Sequence, residues 1–96
     1  MKLEWSPLAI MDREEIFDTV AADSPAAAVR LDERIAERVG RLMQFPEMGR
    51  PGRVAGTREL VIAGTVYIAA YRASDDTVRI LRVLHGARMW PDDFGG

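Results

Sequence analysis

Between Thr57 and His85 the chain carries three runs of β-forming residues separated by turns too short for a crossover. Thr57-Arg-Glu-Leu-Val-Ile62 runs into Ala63-Gly64-Thr65. Val66-Tyr-Ile-Ala-Ala-Tyr-Arg72 follows and meets Ser74-Asp75-Asp76. Thr77 to about His85 is the third and most apolar run. A parallel neighbour needs a connection of about a dozen residues or more, so three runs joined this tightly must form an antiparallel meander.

Two helices are written ahead of the meander. Ser6-Pro7 opens the first: serine caps the orphan N–H groups, and proline suits the first helical position because it has no N–H to lose. Trp5 and Ile10 stand at the two positions of a hydrophobic staple. Ala9, Ile10, Ile16, Phe17 and Val20 form one apolar face. Asp23-Ser24-Pro25 repeats the opening, and the stripe Ala28, Leu31, Ile35, Val39, Leu42 carries a second helix to about Met43. Glu37 and Arg41 form a favourable i, i+4 pair on its other side. The short link between the helices makes them an antiparallel hairpin. Lys2-Leu-Glu-Trp5 reads as an edge strand, and Phe45-Pro-Glu-Met-Gly-Arg-Pro-Gly-Arg53 as a loop enforced by two prolines and two glycines. The expected fold is α+β: an N-terminal strand and an antiparallel helical hairpin packed on a small antiparallel sheet, β-α-α-β-β-β. It is one domain over residues 1–96, with the 91–96 tail left open between packed and flexible. The other face of the sheet is free to curve around a partner.

Composition narrows the chemistry. With no cysteine and one histidine, disulfides, thiolate sites and a zinc centre are not expected. No cofactor is expected either. Charges arrive too early for a signal peptide, and no apolar run is long enough to span a bilayer; the reading is a soluble, cytosolic protein. The net charge of −2 conceals an asymmetry. Residues 1–48 hold 6 basic and 10 acidic side chains, whereas residues 49–90 hold 7 and 3. Twelve of the thirteen cations are arginine, which fits a GC-rich genome as well as a basic surface for phosphates or an acidic partner.

The candidate site lies where the last strand ends, in Arg79-Ile-Leu-Arg-Val-Leu-His-Gly-Ala-Arg-Met-Trp-Pro91. His85 could serve as a general acid or base; its plainer role is a strand-end residue bonded to a turn. Strict alternation sets Val78, Ile80, Arg82 and Leu84 on one face and Arg79, Leu81, Val83 and His85 on the other. One of the two arginines must then lie toward the helix-covered side or at its margin; either could clamp a phosphate, or each could pair with an acid of the first helix such as Asp18 or Asp12. Arg58 opens the first meander strand and Arg88 follows the last. With Trp90 they would suit a base or a protein partner, although Trp90 would equally pack the tail on the sheet. Met11, Met43, Met48 and Met89 fit either an adaptable surface or core packing.

The order of strand, helical hairpin, Phe45-Pro46-x-x-Gly49, Arg58, Tyr67 to Tyr71 and Ile80-Leu-Arg-Val-Leu-His-Gly-Ala-Arg88 resembles the RelE/ParE toxin superfamily over roughly residues 2–91. The resemblance implies the toxin of a bacterial type II toxin–antitoxin module, in a hetero-oligomer with a ParD-like or similar antitoxin. RelE-like members cut mRNA on the ribosome; ParE-like members poison DNA gyrase without nuclease chemistry. The nucleases typically carry arginine three residues before the middle-strand tyrosine, where this chain has Ile68. Lysine is absent beyond residue 3. The expectation is therefore a ParE-like gyrase inhibitor, more a binder than an enzyme, with Arg58, Arg82, Arg88 and Trp90 meeting partners. The alternative is an mRNA endoribonuclease using Arg58, Arg82, His85 and Arg88. A third is a non-toxic domain of the same fold that binds an antitoxin. Charge reversal at Arg58 or Arg82 is expected to weaken the antitoxin complex.

Overall fold

The computed structural model describes residues 1–94. The elements run β1 (Lys2–Trp5), α1 (Pro7–Ala21), α2 (Pro25–Gly40), a 3-10 turn (Arg41–Met43), β2 (Arg50–Pro51), β3 (Arg58–Val61), β4 (Tyr67–Ala73) and β5 (Thr77–His85). The strands make one sheet in the order β1-β5-β4-β3-β2. Two helices on this five-stranded sheet bear out the α+β class. The sheet is mixed rather than wholly antiparallel, because β1 pairs parallel to β5, Lys2 opposite Thr77 and Trp5 opposite Ile80. The helical hairpin is the crossover that permits it. The two-residue β2 lies inside the proline-rich segment expected to be loop, at the far edge, where a missing N–H costs nothing.

Both caps form as the sequence dictates: Ser6 Oγ accepts from the Ala9 N–H at 3.0 Å and Ser24 Oγ from the Ala27 N–H at 3.2 Å. Ser6 also donates from its hydroxyl to the Leu81 carbonyl at 2.8 Å, so the cap fastens α1 to β5. Ala9, Ile35, Val39 and Leu42 meet Leu60, Ala69, Tyr71, Val78, Ile80 and Val83 in the main core. Ile10 departs from its expected face: it is 46% exposed, and Trp5 carries the Arg13 guanidinium 4.5 Å from its ring centre. Both Met11 and Met89 are exposed, as are Met43 and Met48 to a lesser degree.

The alternation expected along β5 breaks at Leu81. Ala70 faces Arg82 and Tyr71 faces Ile80, leaving Leu81 as the extra residue of a β-bulge. Val78, Ile80 and Val83 consequently share the helix side. Leu81 turns to the opposite face and joins Ala70 and Phe94, with Val54, Leu84 and Trp90 packed around them. That face is therefore partly covered by the chain's own tail. Phe94 is buried; for Gly95 and Gly96 the question of a flexible tail lies outside the described residues. No described helix is long and apolar enough to cross a membrane.

Candidate functional site

The end of β5 gathers His85, Arg88 and Trp90, and the fold gives each a different task. His85 stands opposite Tyr67 across the strands, and their rings meet edge to face at 6.0 Å. Its Nδ1 accepts the Ala87 N–H at 3.1 Å, which puts the ring proton of the neutral imidazole on Nε2. The lone pair a general base would need is thus engaged in the turn. The His85 carbonyl accepts from the Arg88 N–H and from Trp90 Nε1, at 3.2 and 3.1 Å. Trp90 is folded back in this way onto the sheet, where the Arg53 guanidinium covers its ring at 3.7 Å and Phe94 meets it at 6.1 Å. Arg88 is exposed.

Arg82 and Arg58 are committed to the fold. Arg82 holds Asp12 of α1 through two bonds, Nε to Oδ2 at 2.8 Å and Nη2 to Oδ1 at 3.0 Å, and Asp12 Oδ2 also accepts the Val83 N–H at 2.9 Å. The bond to Asp12 raises the Arg82 pKa, outweighing burial. The pair sits beyond Trp5, where β1 ends and the edge of β5 would otherwise lie open. Asp12 supplies there what a strand would have supplied. Of the two acids considered from sequence, Asp12 is the partner. Arg79 faces Glu4 of β1 at 3.3 Å, so neither arginine enters the core. Arg58 donates to the Gly49 carbonyl at 2.8 Å.

Arg58 shares that work with Tyr71. The Tyr71 hydroxyl donates to the Pro46 carbonyl at 2.7 Å and accepts the Gly49 N–H at 2.9 Å. A Cβ on Gly49 would come within 2.7 Å of the Tyr71 ring and hydroxyl, which gives the Phe45-Pro46-x-x-Gly49 spacing its physical cause. Burial raises the Tyr71 pKa despite the opposing Gly49 hydrogen bond. A parallel device is Glu59, 3% exposed. It accepts from the Arg53 N–H at 2.8 Å and from the Arg53 and Arg50 side chains at 3.1 Å each. Burial pushes its carboxyl up; the Arg53 backbone bond and the guanidiniums outweigh this, so it ionises below the ordinary range. Sequence reading overlooked Tyr71, Glu59 and Arg53 as organisers. None of the three carries a signal in the sequence, because each acquires its partners only in the folded chain.

Beside His85 lies an open cleft of about 310 Å³ between α1 and the end of β5. Asp12, Glu15, Tyr67, His85, Arg88 and Trp90 are among its walls. Arg82, His85 and Arg88 share this cleft, whereas Arg58 is bonded to the 46–49 loop, so the fold brings together three of the four residues considered for a nuclease. Among the described residues no cluster of acids and histidine is arranged to hold a metal.

Known proteins share this chain's sequence pattern and its fold. Residues 3–90 match the family model described as the ParE toxin of the type II toxin–antitoxin system parDE. The chain is 42% identical over 90 residues to a putative toxin, Y4kP, of Sinorhizobium fredii, covering 94% of this chain and 93% of that one. It is 35% identical over 85 residues to toxin RelE2 of Caulobacter vibrioides, covering 88% and 94%. Among solved structures, a chain of the chromosomal ParDE toxin–antitoxin system from P. aeruginosa superimposes with a TM-score of 0.78 at 30% identity, over 86% of this chain and 92% of that one. With its strand, helical hairpin and bulged meander, the chain belongs to the ParE toxin family of type II toxin–antitoxin systems.

Proposed function

We propose that this toxin acts as a ParE-like inhibitor of DNA gyrase in the cytoplasm and is silenced by a cognate antitoxin in a hetero-oligomer. The observation that carries the reading is how its candidate catalytic groups are spent. Arg82 is bound to Asp12, Arg58 to the 46–49 loop, and His85 Nδ1 to Ala87. Ile68, at the position where the nucleases typically carry an arginine, is buried. A nuclease needs donors aimed at a phosphate whose charge is developing; a binder needs only a shaped, charged surface. Arg88 and Trp90 supply one at the rim of the β5 cleft. The solved ParDE structure comes from a toxin–antitoxin system, which supports an antitoxin as the partner. Purified protein should stop gyrase supercoiling, and Arg88→Glu should weaken that inhibition. Full gyrase activity at toxin excess would end the proposal.

One observation favours the rival reading: the β5 cleft sets Tyr67, Arg82, His85 and Arg88 around one space. Ribosome-dependent mRNA cleavage that disappears in His85→Ala would make the protein a nuclease. Expression without growth arrest would leave only antitoxin binding.

A further inference from the structure

Arg72 and Arg79 stand directly opposite one another on β4 and β5. Both point away from the helices, because their neighbours Tyr71, Val78 and Ile80 are in the main core. Like charges in direct cross-strand opposition destabilise a sheet. Elsewhere the molecule neutralises its strand arginine with an acid, as Arg82 does with Asp12. Here no described carboxylate pairs with Arg72. Arg79 has Glu4 at 3.3 Å, with both side chains well exposed, a bond that water and other anions readily exchange. The two guanidiniums line an open hollow of about 330 Å³ with Glu4, Ser74, Thr77 and Leu81, so two cations there face a single acid. Leu81 continues into the apolar cluster with Phe94 and Ala70.

We propose that this hollow is a receptor for an acidic peptide segment, one carboxylate bridging Arg72 and Arg79 and a neighbouring apolar side chain resting against Leu81. The segment belongs to the antitoxin, so the inference rests on that part of the proposed function and not on gyrase as target. Charge complementarity selects the occupant. A planar carboxylate suits guanidinium donors and removes the repulsion between them. A nucleic-acid backbone fits poorly: Glu4 in the hollow and Asp75 and Asp76 in the adjoining turn leave room for one carboxylate between the guanidiniums but would repel the unbroken run of phosphates on either side of it. The apolar neighbour offers such a backbone nothing.

The test uses the purified protein and an acetylated, amidated peptide with one glutamate flanked by leucines in an otherwise neutral sequence. An analogue with glutamine for glutamate and a short DNA duplex serve as controls. The acidic peptide should shift the NMR signals of the Arg72 and Arg79 guanidinium N–H groups, and Arg72→Gln should weaken its binding about tenfold. The same variant should melt about 1–4 °C higher without ligand, because it removes the opposed charges. Equal binding of the two peptides, affinity unchanged by Arg72→Gln, tighter binding of the duplex, or a lower melting temperature would each overturn the assignment. Gyrase does not enter the measurement. A protein that spares gyrase but takes the acidic peptide keeps the receptor, and a gyrase poison that ignores the peptide loses it alone.

Discussion

Tyr71 does the work of several residues. Its ring is in the core and its hydroxyl satisfies one carbonyl and one N–H of the 46–49 loop. Tyr71→Phe keeps the ring and orphans both backbone groups, at a cost of about 1–3 kcal/mol. Chemical denaturation should record that loss, and hydrogen exchange at Gly49 should accelerate. Glu59 makes a pH prediction. Its folded pKa is depressed, so its contribution is complete above the ordinary glutamate value of about 4.3 and disappears as pH falls through the lower folded value. Stability measured from pH 6 down to pH 2 should therefore drop less steeply in Glu59→Gln than in the parent. At neutral pH that variant should already be weaker. Neither residue stood out in the sequence, because a tyrosine or glutamate in a strand acquires its partners only when a distant loop folds over it.

At the scale of elements, the decisive joint lies between α1 and β5. Ser6 caps the helix and holds the carbonyl of the bulge residue Leu81; Asp12, further along α1, holds Arg82 and the Val83 N–H. Asp12→Ala would strand a partly buried guanidinium and a backbone donor together, costing about 2–4 kcal/mol. Arg82→Glu would do similar damage by setting two acids against each other. A weakened antitoxin complex in that variant would thus report a loosened fold, and Arg88 is the sounder place for charge reversal. Calorimetry of Asp12→Ala checks the magnitude. The helix openings at Ser6-Pro7 and Ser24-Pro25 were legible because caps are local chemistry. The bulge was not. Strict alternation predicted Val83 on the face opposite Ile80, and one inserted residue reversed the remainder of the strand.

For the whole molecule, the open face of the sheet is the feature on which function turns. Part of it is occupied by the tail, with Trp90 between Arg53 and Phe94, and part remains basic around Arg72 and Arg79. Phe94 anchors the tail against Leu81 and Ala70. Phe94→Ala should cost about 1.5–3 kcal/mol, the worth of its burial, and increase the solvent exposure of Trp90, visible as a red shift in its fluorescence. An unchanged spectrum and stability would mean that the tail contributes nothing to the fold.

The sequence by itself determined the class of fold, the helix starts, the meander and the resemblance to a toxin family. Each of these is written in neighbouring residues: a cap beside a proline, a short turn between apolar runs, a motif order. Only the tertiary structure decided which arginines are free. A guanidinium is available or spent according to the acid or carbonyl that folding brings within about 3 Å of it, and those partners lie as far apart in the chain as Asp12 and Arg82.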